Sequence, residues 1–252
     1  MRVGGSHRSN RPSPMCAAAG AGAVIWEHAA SDAMLVEYDL TDRAALIESA
    51  ATSCVPLLAE RPPIGSMFGR IRRQNRNVGF FAADVDAIPG YAYAGRLMSS
   101  QPMSPELCRL LAVVNARLNA SYNAILVNEY PHGRNYISAH RDDETGLDFS
   151  RSPGVFTLTW CSAADSNTDP KPRDRVLRIR DGATKAKLCD VVTKSSHGVL
   201  MQGADFQRRL THEIPAVSGK AGDACRRRVS FTFRVHDTAS ACPPSAKRSR
   251  VR

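Results

Sequence analysis

Two hydrophobic periods divide the chain. Leu107, Leu110, Leu111, Val114 and Leu118 recur at helical spacing behind Ser104-Pro105-Glu106, a cap, a first-turn proline and an acid. This predicts a helix that packs behind a sheet. A second helix is expected over Arg43–Ala50, with its cap at Thr41 or Asp42. After Asn123 the pattern shortens. Strands are predicted at Ala124–Tyr130, Val155–Trp160, Val176–Arg180, Leu188–Val192, Gly198–Met201 and Arg228–Arg234, with earlier ones at Met34–Tyr38 and Asn77–Phe81. Val176–Arg180 alternates apolar and basic residues, so one wet, positive face is expected. Turns fall at Pro89-Gly90, His132-Gly133-Arg134 and Asp181-Gly182, and loops at Asp165–Arg175 and Ser218–Asp223. About eight short strands without helical crossovers in the second half predict a mainly β fold with flanking helices, a double-sheet or jelly-roll barrel, rather than βαβ repetition.

Composition narrows the class. With 252 residues and 43% hydrophobic content, the chain can bury one real core. Residues 1–30, rich in Gly, Ser, Ala, Pro and Arg, read as a disordered arm, 31–236 as one folded domain and 237–252 as a basic disordered tail. No stretch approaches eighteen apolar residues, so no membrane span is expected, and Ala17–Ile25 reads as part of a flexible arm rather than a signal peptide. A net charge of +10 favours an anionic partner such as nucleic acid. Lys247, Arg248, Arg250 and Arg252 in the tail point to the nucleus. The seven cysteines form no CxxC pair, so neither a zinc finger nor a disulfide framework is expected, and a reducing compartment is.

Candidate chemistry centres on His140-Arg141-Asp142. In extended backbone, residues two apart share a face, so this pair can offer an imidazole and a carboxylate to one ion. His212, after a downstream strand and loop, is the natural third ligand. Two histidines and one carboxylate leave metal positions open, the usual site of a non-haem Fe(II) oxygenase. Those positions would take O2 and a 2-oxo acid, whose far carboxylate calls for an arginine. Arg228 and Arg234 lie six apart on the polar face of the last strand, and Asn128 and Tyr130 can add hydrogen bonds to the same acid. A buried arginine is costly without an anion, and Asp142 or Asp143 could also serve it. Between Met67 and Arg76, basic residues surround Phe68, a mixture suited to a loop or hairpin that meets phosphates. Tyr91 and Tyr93 share one face of an extended segment. His132, His197 and His236 have no comparable support.

Together these motifs resemble the AlkB family of Fe(II)/2-oxoglutarate dioxygenases, in its nucleic-acid dealkylation repair branch. The matching residues are Asn128-x-Tyr130, the glycine turn, Ile137-x-x-His140-Arg-Asp142-Asp-Glu144, His197-Gly198 followed by Met201, His212 with Ile214-Pro215, and Arg228-x-Ser-x-Thr-Phe-Arg234, spanning roughly Phe68 to Arg234. The resemblance implies iron on His140, Asp142 and His212, and 2-oxoglutarate held by Arg228 with Asn128 and Tyr130. Arg234 would stand near the metal end. It also implies a nucleotide-recognition lid at about 64–96, with Phe68 in a helix-invading finger, Tyr93 stacking on a flipped base against His140, and Tyr91, Asp143 and Glu144 lining the base pocket. The implied reaction is oxidative demethylation of 1-methyladenine and 3-methylcytosine in DNA, releasing succinate, CO2 and formaldehyde, by a monomer. An RNA demethylase, another hydroxylase of the same fold and a non-catalytic nucleic-acid-binding module are the alternatives. The sequence departs from the family at Arg72-Arg73-Gln74, which lacks a proline, at Val78-Gly79, and at Trp160-Cys161 with its polar insertion.

Overall fold

The structure is a computed structural model, and it describes residues 22–67, 70–93, 96–144, 146–163 and 174–238. The first part of the chain supplies β1 (Ala23–Glu27), β2 (Met34–Asp39), α1 (Ala44–Cys54), and a hairpin of β3 (Pro63–Met67) and β4 (Arg70–Arg73). Next come β5 (Asn77–Ala82), a second hairpin of β6 (Gly90–Tyr93) and β7 (Arg96–Ser99), the short β8 (Gln101–Pro102) and α2 (Pro105–Leu118). The second half runs β9 (Ala124–Tyr130), β10 (Ile137–His140), β11 (Gly154–Cys161), β12 (Val176–Asp181), β13 (Lys187–Val192) and β14 (His197–Gln202). It ends with α3 (Phe206–Arg209), β15 (Leu210–Ile214), α4 (Gly219–Asp223) and β16 (Arg228–Arg234).

From β9 onward the chain shuttles between two sheets. The larger has the order β1-β2-β14-β11-β16-β9-β5-β8 and the smaller β10-β15-β12-β13. Alternation along the strands gives each residue its side. On β16 all seven residues are buried. Val229, Phe231 and Phe233 join Ile125, Val127, Phe156 and Leu158 against Ile47 and Ala50 of α1 and Leu107, Leu110 and Val114 of α2. On the other side of the large sheet, Tyr130, Val155, Val199 and Met201 pack with Ile137, Leu177, Ile179 and Ile214 of the small one. This is a mainly β fold with flanking helices, arranged like a double-stranded β-helix. Neither sheet closes into a barrel among the described residues, because the two meet through apolar side chains and the larger runs on past the smaller through β1, β2, β5 and β8.

Several expectations need correction. The arm predicted to be disordered through residue 30 includes β1, which pairs with β2. There are sixteen strands among the described residues instead of about eight, since short hairpin strands carry little periodicity. Neither Thr41 nor Asp42 caps α1. Both belong to a preceding 3-10 turn, and the Thr41 amide donates to Asp39 Oδ1 at 2.8 Å. The polar face of β12 carries no free charge: Arg178 pairs with Asp190 at 2.7 Å and Arg180 with Glu213 at 2.8 Å. Ser218–Asp223, expected as a loop, holds the short α4, against which Gly133 lies so closely that a Cβ there would come within 2.5 Å of the Gly222 carbonyl oxygen. The Ser104 cap behaves as expected, its hydroxyl accepting the Leu107 amide at 3.3 Å. Among the described residues no helix is long and apolar enough to cross a membrane. Cys54, Cys108, Cys161, Cys189 and Cys225 are free thiols.

Candidate metal centre and cosubstrate pocket

His140 closes β10 directly across from His212 on β15, and a bulge between Ile137 and His140 sets that register. Bulges re-aim side chains at strand ends. The imidazole rings lie 4.3 Å apart. The strand stops at His140, so Asp142 is placed by other means. Its amide donates to Gln207 Oε1 at 2.9 Å, and Arg141 Nε donates to the Leu210 carbonyl at 3.3 Å. These bonds from α3 and β15 turn the Asp142 carboxylate inward, where it is fully buried, 3.9 Å from His140 Nε2 and 3.5 Å from His212 Nε2. One donor atom from each of the three residues lies within 4.8 Å of the others.

The donor set suits a divalent ion. His140 Nδ1 lies 2.9 Å from the Ser138 carbonyl, which fixes the proton there and leaves Nε2 as the ligand nitrogen. Asp142 Oδ2 is buried without a hydrogen-bond partner. Burial lowers the His140 imidazole to about 3, assisted by neighbouring His212 and opposed by Asp142. Burial, then the charge of Arg234, lowers His212 to about 3 as well. Both rings are therefore neutral, the form that binds metal.

These shifts predict a stability profile. His236, packed edge-on against the stacked rings of Phe80 and Tyr91, is lowered to about 4 by burial and then by Arg234. An unfolded chain protonates all three histidines as pH falls through about 6.5, whereas the folded chain stays neutral to about 3 or 4. The unfolded state thus binds more protons in that window, and stability falls with falling pH. The melting temperature of metal-free protein should drop between about pH 7.5 and about pH 5. His236→Gln should flatten that slope without touching a metal ligand, and an unchanged slope would exclude His236 as a contributor.

Gln207 was not among the residues singled out from sequence, having no motif to mark it. Gln207→Leu should weaken divalent-metal binding by about 10- to 100-fold, the range for groups that orient ligands. The substitution orphans the Asp142 amide but also removes the buried, unpartnered Gln207 Nε2, so its net cost in stability should not exceed about 1–3 kcal/mol. A chelator-competition titration beside a melting curve checks both.

Beside the triad, one face of the large sheet is polar. Register places Arg228 against Tyr130 and Cys161, and Ser230 against Asn128 and Thr159. Arg228 is fully buried. Its Nε donates to Thr193 Oγ1 and its Nη2 to Thr159 Oγ1, both at 3.1 Å, and its guanidinium lies 5.2 Å over the Tyr130 ring. Nη1 has no partner, and no carboxylate among the described residues pairs with the group. Burial lowers its pKa. A buried cation in this state calls for an anion. Arg234 differs: it donates to Asp142 Oδ1 and lies 5.1 Å over the Tyr91 ring. Burial works against its charge, but Asp142, Tyr91 and Glu144 outweigh that and raise its pKa.

The remaining expected residues scatter around this centre. Tyr91 is buried, stacks on Phe80 at 5.4 Å and donates to Glu144 Oε1. Glu144 Oε2 is buried and unpartnered, and burial raises that carboxyl. Asp143 is exposed. Tyr93 lies on β6, but its side chain, like Phe68 and residues 164–173, is outside the described set, as are 1–21 and most of the basic tail. His132 sits exposed in its turn, and His197 lies outside the triad with its Nδ1 3.1 Å from the Ser195 carbonyl. Two further arginines went unrecognised in the sequence. Arg175, expected in a polar loop, is buried, donates to the Asn135 and Pro215 carbonyls at 2.7 and 2.6 Å, and lies 5.7 Å over Tyr130. Arg76 is buried and donates to Asn128 Oδ1 at 2.7 Å.

No family model matches the chain. It is 29% identical over 153 residues to human DNA oxidative demethylase ALKBH2, covering 59% of this chain and 53% of the relative, and 27% identical over 148 residues to the bovine protein, covering 57% and 48%. The chain thus matches about half the length of these curated relatives. A structure of OsALKBH1 aligns with a TM-score of 0.47 at 15% identity, over 79% of this chain and 97% of that one. The distant homology and the His140–Asp142–His212 triad together point to the AlkB-like dioxygenase superfamily, without selecting a branch. They support a metal-dependent oxidative enzyme with a single divalent-metal site.

Proposed function

We propose that this protein is an Fe(II)- and 2-oxoglutarate-dependent dioxygenase that demethylates N-alkylated bases in DNA, releasing succinate, CO2 and formaldehyde. The observation that carries the reading is Arg228, a buried guanidinium with an unpartnered Nη1 and no carboxylate, on the sheet face beside the triad. Iron on His140, Asp142 and His212 would, with O2 and the 2-oxo acid, supply the oxidising power for hydroxylating an N-alkyl carbon. The protein's own groups do the rest. Arg228 grips the distal carboxylate of the diacid, with Asn128 and the Tyr130 hydroxyl beside it. Arg234 donates to Asp142 Oδ1 and so holds that carboxylate beside the two imidazoles. The Tyr91–Glu144 pair borders the centre with a buried carboxyl oxygen free to meet the edge of a flipped base, as base-directed chemistry requires.

DNA as substrate is supported by the DNA oxidative demethylase activity that gives the two relatives their name, the net charge of +10 and the exposed, arginine-rich β4. We place Phe68 and Tyr93 at the nucleic-acid face on the strength of the resemblance alone, and take the enzyme to be a nuclear monomer. The test measures succinate and formaldehyde from oligonucleotides carrying 1-methyladenine or 3-methylcytosine, as DNA and RNA, duplex and single strand. Iron-dependent release from DNA is expected. Release from RNA alone moves the substrate to RNA, and succinate without any oligonucleotide turnover leaves a hydroxylase of another substrate. No succinate with iron bound sinks the oxygenase reading.

A further inference from the structure

Arg76 reads in the sequence as one more member of a basic run, yet it is only 5% exposed. It precedes Val78 by two residues and so shares its side of the sheet. Val78 is the register partner of Asn128. Arg76 Nε donates to Asn128 Oδ1 at 2.7 Å. A guanidinium has donors only, so this bond dictates which end of the Asn128 amide it meets. Oδ1 faces Arg76 and Nδ2 turns away, with no protein partner among the described residues.

The backbone on either side of Arg76 is pinned. The Asn75 carbonyl accepts from the Tyr136 amide at 3.2 Å and from Asn135 Nδ2 at 3.0 Å, and Asn77 Nδ2 donates to Glu129 Oε2 at 2.8 Å. The guanidinium is thus delivered from a fixed foot at the base of the basic hairpin.

We propose that Arg76 is a positioning residue for the 2-oxo acid, holding the Asn128 amide so that its N–H group faces the ligand carboxylate. The inference rests on the cosubstrate reading above. Without Arg76 the amide can turn over and present Oδ1 to an anion, which replaces a donor with a repulsive acceptor.

The test uses the whole chain loaded with Zn(II), which supports no turnover, titrated calorimetrically with 2-oxoglutarate. Arg76→Leu should raise the Kd by about tenfold or more, as for a hydrogen bond to a charged group, with Zn(II) affinity not weakened, since the change removes a positive charge that acts on His140. Arg76→Gln occupies similar space but offers donor and acceptor alike, so it no longer dictates the amide's orientation. It should weaken binding too, and it decides the matter if Arg76→Leu does not fold. Asn128→Ala should cost a similar factor, and the Arg76→Leu/Asn128→Ala pair little more than either alone, because the two act through one contact. Wild-type affinity in both Arg76 variants, or losses that multiply in the pair, would overturn the proposal. A wild-type protein that binds Zn(II) but takes up no 2-oxoglutarate would instead remove the cosubstrate reading itself.

Discussion

Asp142→Ala should lose both turnover and stability, whereas His140→Ala should lose turnover alone. Each removes a metal ligand, and the loss of the metal's contribution to the barrier predicts a fall of more than about a thousandfold. Their structural consequences differ. The Asp142 carboxylate is fully buried and holds Arg234, whose side chain is 4% exposed. Deleting it leaves a buried guanidinium without its counter-charge, which costs about 3–5 kcal/mol. His140 is 17% exposed and is bonded only to the Ser138 carbonyl on its far side, so its removal leaves no buried charge behind. Denaturant unfolding of the metal-free variants separates the two. Equal destabilisation would mean that Arg234 finds another anion, with Glu144 the nearest candidate by its influence on that arginine.

Arg228→Met should act in the opposite sense on stability. In the ligand-free protein the guanidinium is paired with two threonine hydroxyls and a tyrosine ring but with no anion. Replacing an uncompensated buried charge with an apolar chain of similar length is neutral or stabilising, by up to about 1–4 kcal/mol in comparable cases. On the proposed role of Arg228, the same change removes the partner of the diacid's far carboxylate, so affinity for 2-oxoglutarate should fall by at least about a hundredfold, the loss of a charged pair being about 3 kcal/mol or more. Thermal melting with and without 2-oxoglutarate reads both: an unshifted or raised baseline, and no further rise on adding the diacid. A strongly lowered baseline would mean that Arg228 holds the fold rather than a ligand.

The strongest features of fold and site were legible because they are periodic or chemically costly. The spacing of Leu107 to Leu118 matches the buried face of α2 residue for residue. Alternation on β16 assigned Phe231 and Phe233 to one side and Arg228 and Arg234 to the other. His140, Asp142 and His212 converge as the motif required, although through a strand end and a stapled loop rather than one extended segment. What escaped was set by tertiary partners. Nothing local marks Gln207 as the residue that turns Asp142 inward. Arg76 and Arg175 looked like solvated charge because burial of an arginine depends on distant carbonyl and amide oxygens. Sheet closure was over-read, since an alternating pattern says which face is apolar and not where a sheet's edges end.

Among the described residues β16 is the last strand to be made, and it sits in the middle of the large sheet, flanked by β11 and β9. During synthesis, therefore, the ribosome must release everything through Arg234 before that sheet can acquire its centre. Until then β9 and β11 have a gap between them, and the nascent chain carries exposed strand edges that invite chaperones or aggregation. A chain cut short before Arg228 should therefore fail to complete its large sheet, and not merely lack one arginine.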